Sequence, residues 1–254
     1  MKRAAIKKII FWCCKPLGYK TLQYITSLRS YEKTCVIGGI VVSSKDESKK
    51  DIQLLAKKYH IRVLSEESSI PGEYDLGLCI GFPKKISKDV LERCKYGVMN
   101  LHFAPLPAYR GSGTLSHAII NNEEEYGVTL HKMDETLDTG PIIVVKTIPL
   151  SRTKSALEIV GDIEKLGYQV ITQNFRKLVE GNYVLQDQEE IIKKTGVVPH
   201  FYTRQSVKNL YALDFPWEFD KVHRYLRALS LGKGTKPFYE KDGRRIYLSL
   251  SEST

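Results

Sequence analysis

Residues 76–102 read LGLCIGFPKKISKDVLERCKYGVMNLH, and this stretch decides the fold. An apolar run from Leu76 to Ile80 is followed by a glycine-led loop, an amphipathic stretch from Ser87 to Cys94, and a second apolar run from Gly97 to Leu101. Short apolar runs bounded by turn residues fit strands buried on both faces, and the helical stretch between them makes a strand–helix–strand unit. The same alternation fills the preceding residues. Ile6 to Trp12, Cys35 to Val42 and Ile61 to Leu64 read as strands, and Tyr19 to Leu28 and Lys49 to Tyr59 as helices. Repeated units of this kind specify an α/β, Rossmann-like, mostly parallel sheet with helices on both faces and right-handed crossovers. Such sheets bind ligands beyond the carboxyl ends of their strands. A site is therefore expected among Cys13 to Gly18, Gly81 to Ile86 and His102 to Gly113.

Further along, the pattern predicts a helix ending at Ile120, strands from Gly127 to Met133 and Ile142 to Ile148, and a long helix from Ser155 to Glu180. Ser151 is the expected cap of that region. The periodicity weakens between Gly196 and Thr203, which divides the chain into residues 1–196 and a small C-terminal segment, 197–254. That segment holds a helix from Phe219 to Ala228 and an aromatic hairpin from Pro237 to Leu248, turning at Asp242-Gly243.

Composition limits the function classes. The chain has 254 residues, 42% hydrophobic and 27% charged, with a net charge of +10, values of a globular protein with one substantial core. No run reaches the roughly 20 apolar residues of a membrane-spanning helix. The apolar run after Lys7-Lys8 is broken by Lys15-Pro16, too short for a signal sequence, so a cytoplasmic protein is expected. The five cysteines, Cys13, Cys14, Cys35, Cys79 and Cys94, lack CxxC spacing and fit buried free thiols. No metal-ligand spacing is present. The lysines are spread along the chain, which describes a solvated surface better than a nucleic-acid arm.

Two segments carry chemistry. In Asn100-Leu101-His102, alternation places Asn100 and His102 on one side of the strand if Leu101 points into the core. An amide beside an imidazole can hold an oxyanion and manage a proton. Pro105, Pro107 and Gly111 stiffen and shape the loop that follows. The second segment is the acidic loop Met133-Asp134-Glu135-Thr136-Leu137-Asp138-Thr139-Gly140-Pro141. Taken alone, each has an ordinary structural explanation: a polar strand end and a solvated turn.

Together they resemble the folate-dependent formyltransferase family. The match rests on Asn100-Leu101-His102, Leu106-Pro107, Tyr109-Arg110-Gly111, Gly127-Val128-Thr129, and Met133-Asp134 through Asp138-Thr139-Gly140, in order and spacing, over roughly residues 1 to 185. The resemblance implies the formyltransferase fold, N10-formyltetrahydrofolate as formyl donor, and Asn100, His102 and Asp138 as the catalytic trio. It implies that Asn100 and His102 hold the developing oxyanion while Asp138, with His102, removes the amine proton. Donor contacts fall on Phe82, Pro83, Lys84, Lys85, Ile86, Ala104, Pro105, Leu106, Met133 and Asp134. Acceptor contacts fall on Trp12, Lys15, Tyr109 and Arg110. No metal is implied.

Within the family, Phe103-Ala104-Pro105-Leu106-Pro107 and the short tail are most similar to nucleotide-sugar N-formyltransferases. These act on nucleotide-linked amino-dideoxy sugars, with dTDP as the nucleotide by analogy, for surface polysaccharides such as lipopolysaccharide O-antigen. The alternatives are methionyl-tRNA formyltransferase, for which the fifty-residue tail is too short to form a tRNA-holding barrel, a formyltetrahydrofolate hydrolase, and a non-catalytic folate-binding protein. The aromatic hairpin suits pairing across a twofold axis in a homodimer, or docking on its own chain in a monomer.

Overall fold

The computed structural model describes residues 6–28, 35–65, 70–214, 216–231 and 236–250. In chain order the elements are β1 (Lys8–Cys13), α1 (Lys15–Ser27), β2 (Val36–Val41), α2 (Lys49–Lys58), β3 (Val63–Leu64), β4 (Leu76–Ile80), α3 (Lys88–Glu92), β5 (Val98–His102), β6 (Tyr109–Gly111) and α4 (Thr114–Ile120). They continue with β7 (Glu125–Lys132), β8 (Ile142–Pro149), α5 (Ala156–Val179), α6 (Gln188–Thr195), β9 (His200–Tyr202), α7 (Arg204–Lys208), β10 (Ala212–Leu213), α8 (Phe219–Ala228), β11 (Phe238–Lys241) and β12 (Arg244–Tyr247).

Among the described residues the main sheet has the order β3-β2-β1-β4-β5-β7-β8. Its first five strands are parallel, and β7 pairs antiparallel with both β5 and β8. This is the mostly parallel α/β sheet that the repeated units imply. Strand alternation sorts the core into two layers. Ile9, Phe11, Leu76, Leu78, Met99 and Leu101 face the larger cluster, with Leu22 from α1 and Ile163 from α5. Ile10, Trp12, Cys79 and Val98 face the smaller one on the other side. Leu101 does point into the larger core, so Asn100 and His102 share the side of Val98, at the carboxyl end of β5.

Two boundaries and two further elements differ from expectation. Helix α1 begins at Lys15 with Pro16 in its first turn, where proline lacks only an N–H that would be unpaired anyway. The loop expected at residues 13–18 is therefore reduced to the cap residue, Cys14. Helix α5 is capped by Ser155, not Ser151: Ser155 Oγ accepts from the Glu158 N–H, and Glu158 Oε2 accepts from the Ser155 N–H, a reciprocal capping box. Ser151 Oγ instead accepts from the N–H groups of Thr153 and Lys154 in the turn before it. The segment after residue 180 also contains α6 and β9, neither of which its sequence pattern reveals.

The C-terminal residues pack on this frame. Strand β9 pairs with β6, and Ser116 Oγ donates to the Ala228 carbonyl (2.7 Å) between α4 and α8. Arg227 is buried, and its guanidinium donates to the carbonyls of Lys154 and Ser151. Strands β11 and β12 form the expected hairpin, with Asp242 and Gly243 both at positive φ (52° and 73°) as a two-residue turn requires. All five cysteines are buried and outside any disulfide, and burial pushes Cys35, Cys79 and Cys94 up to about 12. Thiols held protonated in this way are poor nucleophiles. Among the described residues no helix is long and apolar enough to cross a membrane.

Candidate active site

The antiparallel pairing of β5 with β7 builds the site. Its register sets Asn100 opposite His131 and His102 opposite Thr129. Asn100 Nδ2 donates to His131 Nε2 at 3.1 Å. The loop after β7 returns Asp138 to the same place, its Oδ1 lying 3.5 Å from both His102 Nδ1 and His131 Nε2. Asp138 Oδ2 accepts the Gly111 N–H at 2.9 Å. Asn100, His102 and Asp138 thus join one network, with His131 as a fourth member.

Gly111 is fixed in this role by space as well as by its positive φ of 90°: a Cβ there would stand 2.0 Å from the Tyr202 carbonyl oxygen in β9. Asp138 itself adopts φ 60°, a left-handed conformation that aspartate tolerates better than most residues.

The tautomers follow from the carbonyls. His102 Nε2 lies 2.8 Å from the Tyr109 carbonyl, and His131 Nδ1 lies 3.1 Å from the Lys132 carbonyl. A carbonyl only accepts, so both of these nitrogens carry hydrogen. When the rings are neutral, His102 Nδ1 and His131 Nε2 are bare and both face Asp138 Oδ1. Burial lowers the His102 pKa below the ordinary 6.5, against the opposing pull of Asp138 and the Tyr109 carbonyl, so the ring is neutral at pH 7. Burial alone would raise the Asp138 carboxyl. The His131 and His102 rings, which attract the carboxylate whenever they carry a proton toward it, and the Gly111 N–H outweigh it and hold Asp138 below the usual carboxylate range. The neutral His102 ring thus keeps a bare Nδ1 beside the Asp138 carboxylate, which attracts a proton once that nitrogen has taken it up.

Other expected contacts fare differently. Trp12 is 3% exposed in the smaller core and Tyr109 is 5% exposed, so neither ring is presented to an acceptor. The Tyr109 hydroxyl donates to Glu123 Oε1 (2.6 Å) and its ring stacks on Tyr202, leaving its backbone carbonyl as its contribution to the site. Lys15 is exposed, beside Gly81: a Cβ on that glycine would stand 3.5 Å from Lys15 Cδ. The two loops that follow β1 and β4 therefore adjoin. Arg110 Nε and Nη2 donate to Gln188 Oε1 (3.3 and 2.8 Å).

Of the residues assigned to the donor, Phe82 and Met133 are partly buried against the smaller core, and Pro83, Lys84 and Lys85 are exposed. Ile86 is a core residue, 4% exposed. Ala104 and Leu106 each have one backbone group engaged within the chain. Thr129 Oγ1 donates to the Ala104 carbonyl (2.7 Å) and accepts the Leu106 N–H (3.0 Å), and only Pro105 between them is partly exposed. Asp134 serves its own turn, accepting from the Thr136 N–H and the Thr139 hydroxyl. Thr129→Val keeps the shape but orphans two buried backbone groups. Thermal or urea unfolding is expected to show a loss of about 1–3 kcal/mol.

Phe82 and Met133 pack against the core cluster of Val98, on the side of β5 that carries Asn100 and His102. Among the described residues no group of three or more His, Cys, Asp or Glu is arranged to hold a metal ion.

The chain belongs to the formyl transferase family, whose model matches residues 32–175, more than half its length. A methionyl-tRNA formyltransferase of Bartonella tribocorum is 27% identical over 179 residues, covering 70% of this chain and 56% of that protein. The chain spans about half the length of the curated relatives it matches. Among solved structures, a sugar N-formyltransferase from Shewanella sp FDAARGOS_354 superposes with a TM-score of 0.78 at 18% identity, covering 98% of each chain. The N-formyltransferase from Helicobacter canadensis, in complex with folinic acid and dTDP-3-aminofucose, gives a TM-score of 0.74 at 21% identity, covering 94% of this chain and 85% of that one. At these identities the likeness is one of fold.

Proposed function

We propose that the chain transfers the formyl group of N10-formyltetrahydrofolate to the amine of a nucleotide-linked amino sugar, dTDP being the nucleotide, with Asn100, His102 and Asp138 as catalytic residues. The observation that carries this is the proton-accepting arrangement at Asp138. An amine becomes a nucleophile only when it sheds a proton, and the bare nitrogen of His102 beside an anionic carboxylate receives one. The protonated ring is then held between the Tyr109 carbonyl and Asp138.

The donor, when bound, supplies an activated formyl carbon. Phe82, Met133 and the backbone around Pro105 would hold it. Asn100 has a second N–H beyond the one given to His131, and it serves the oxygen on which negative charge develops. The resemblance alone gave His102 a share in that oxyanion. Its Nε2–H is engaged by Tyr109, so its role here is that of the base.

Sugar acceptors are favoured by the closer superposition on a sugar N-formyltransferase, TM-score 0.78, than on the methionyl-tRNA formyltransferase from Clostridium thermocellum, 0.61, each over nearly the whole chain. Residues 1–196 then carry the chemistry, with 197–254 as an annex, in a cytoplasmic enzyme of polysaccharide synthesis that pairs as a homodimer. A second possibility, methionyl-tRNA formylation, is favoured by the names of the sequence relatives and by the net charge of +10. The two separate in one assay: donor is mixed with dTDP-linked 3-amino and 4-amino sugars or with methionyl-tRNA, and tetrahydrofolate release is followed. Release with a sugar and none with tRNA is expected.

A further inference from the structure

The side chain of Gln188 is buried, 2% exposed, at the first residue of α6, and it uses its full hydrogen-bonding capacity. Its Nε2 donates to the carbonyls of Asp138 (3.0 Å) and Gly140 (2.7 Å). Its Oε1 accepts from Arg110 Nε (3.3 Å) and Nη2 (2.8 Å). The amide has only one orientation that works, because a guanidinium cannot accept and a carbonyl cannot donate. The segment carrying it is itself anchored. Ile142 and Gln186 exchange both backbone hydrogen bonds at 2.8 Å, and Asp187 Oδ1 caps α6 through the Glu189 and Glu190 N–H groups.

What Gln188 joins matters more than the number of bonds. On one side it holds the backbone of Asp138, in its left-handed conformation, and of Gly140 two residues on. On the other it holds Arg110, whose neighbours are Tyr109, the carbonyl partner of His102, and Gly111, the N–H partner of Asp138. One rigid amide therefore sets the distance between the carboxylate and the histidine it serves. We infer that Gln188 is a positioning residue for the formyl-transfer site, aligning Asp138 with His102 and His131 without touching substrate. The inference rests on the function proposed above, in which that alignment is catalytic.

Two variants of the full-length chain test it. Gln188→Leu removes all four bonds. Gln188→Glu keeps the acceptor for Arg110 but sets an oxygen against the two loop carbonyls. With donor and a dTDP-linked amino sugar that the wild-type chain formylates, kcat is expected to fall about ten- to a hundredfold in both variants, the scale of a misplacement near 1 Å. Should Gln188→Leu fail to fold, Gln188→Glu carries the same measurements. A readout independent of turnover is the imidazole nitrogen NMR spectrum of histidine-labelled chain. The His102 and His131 signals are expected to move while those of His60 and His223 stay. If the wild-type chain formylates no acceptor, the function falls and these signals alone decide the positioning. Wild-type-like kcat in Gln188→Glu, or unmoved His102 and His131 signals in a folded variant, would overturn the inference.

Discussion

Replacing His102 by alanine is expected to lower formyl transfer by roughly two to four orders of magnitude, the usual worth of a positioned acid–base group. The loss should appear in kcat, because the proposed role of His102 is proton removal, and its Nε2–H is engaged by Tyr109 and not offered to a ligand. The variant also orphans a buried carbonyl, at a cost of about 1–3 kcal/mol, so it folds with a lowered melting temperature. Circular dichroism at the assay temperature separates the two effects. Wild-type turnover is expected to fall as pH drops below 6.5 into the range where His102 takes up a proton, because a protonated ring cannot accept one from the amine. Near-full activity in His102→Ala would remove the base from the account.

Asp138→Asn is the second large effect. Asparagine tolerates the same left-handed backbone and retains an acceptor for the Gly111 N–H, so the fold is kept while the charge is lost. Without the anion, the proton taken by His102 has no counter-charge, and a loss of about two to four orders of magnitude in kcat is expected. Acid stability gives an independent reading. Asp138 is held below the ordinary carboxylate range in the folded chain, so its ionised form contributes stability above its unfolded pKa of 3.8, lost as pH falls through the folded value. His102 acts in the same direction: below 6.5 the unfolded chain gains a proton that the folded chain resists. The wild-type protein therefore loses stability on acidification through both groups. The asparagine variant lacks the Asp138 contribution, and its His102, relieved of the anion that raised its pKa, resists protonation further. Unfolding midpoints from pH 7 downward check this, and curves that lie parallel for the two proteins would contradict it.

The sequence carried the sheet well because local patterns set it: the apolar runs of β1, β4 and β5 occur where expected, and the Asp242-Gly243 hairpin lies where turn chemistry puts it. The placement of Asn100 and His102 on one side followed from alternation once Leu101 was assigned to the core. His131 was not legible as a site residue. Its partnership with Asn100 depends on the antiparallel register of β5 and β7, which no local pattern encodes. Gln188 was hidden for a related reason, since it lies in a segment without clear periodicity and its three partner residues are about 50 and 78 residues away. Trp12 and Tyr109 look like recognition residues by type, but the smaller core and the Glu123–Tyr202 contacts consume their rings. At Ala104 and Leu106 the Thr129 hydroxyl claims one backbone group of each residue.

The most direct test of formyl transfer to an amino sugar is the mass of the acceptor itself. The purified chain is incubated with N10-formyltetrahydrofolate and dTDP-linked 3-amino and 4-amino sugars, alongside His102→Ala and Asp138→Asn. The expected result is one added formyl group on a sugar amine with the wild-type chain and almost none with either variant. Formylated methionyl-tRNA with every sugar unchanged, or equal formylation by wild type and both variants, would contradict the account.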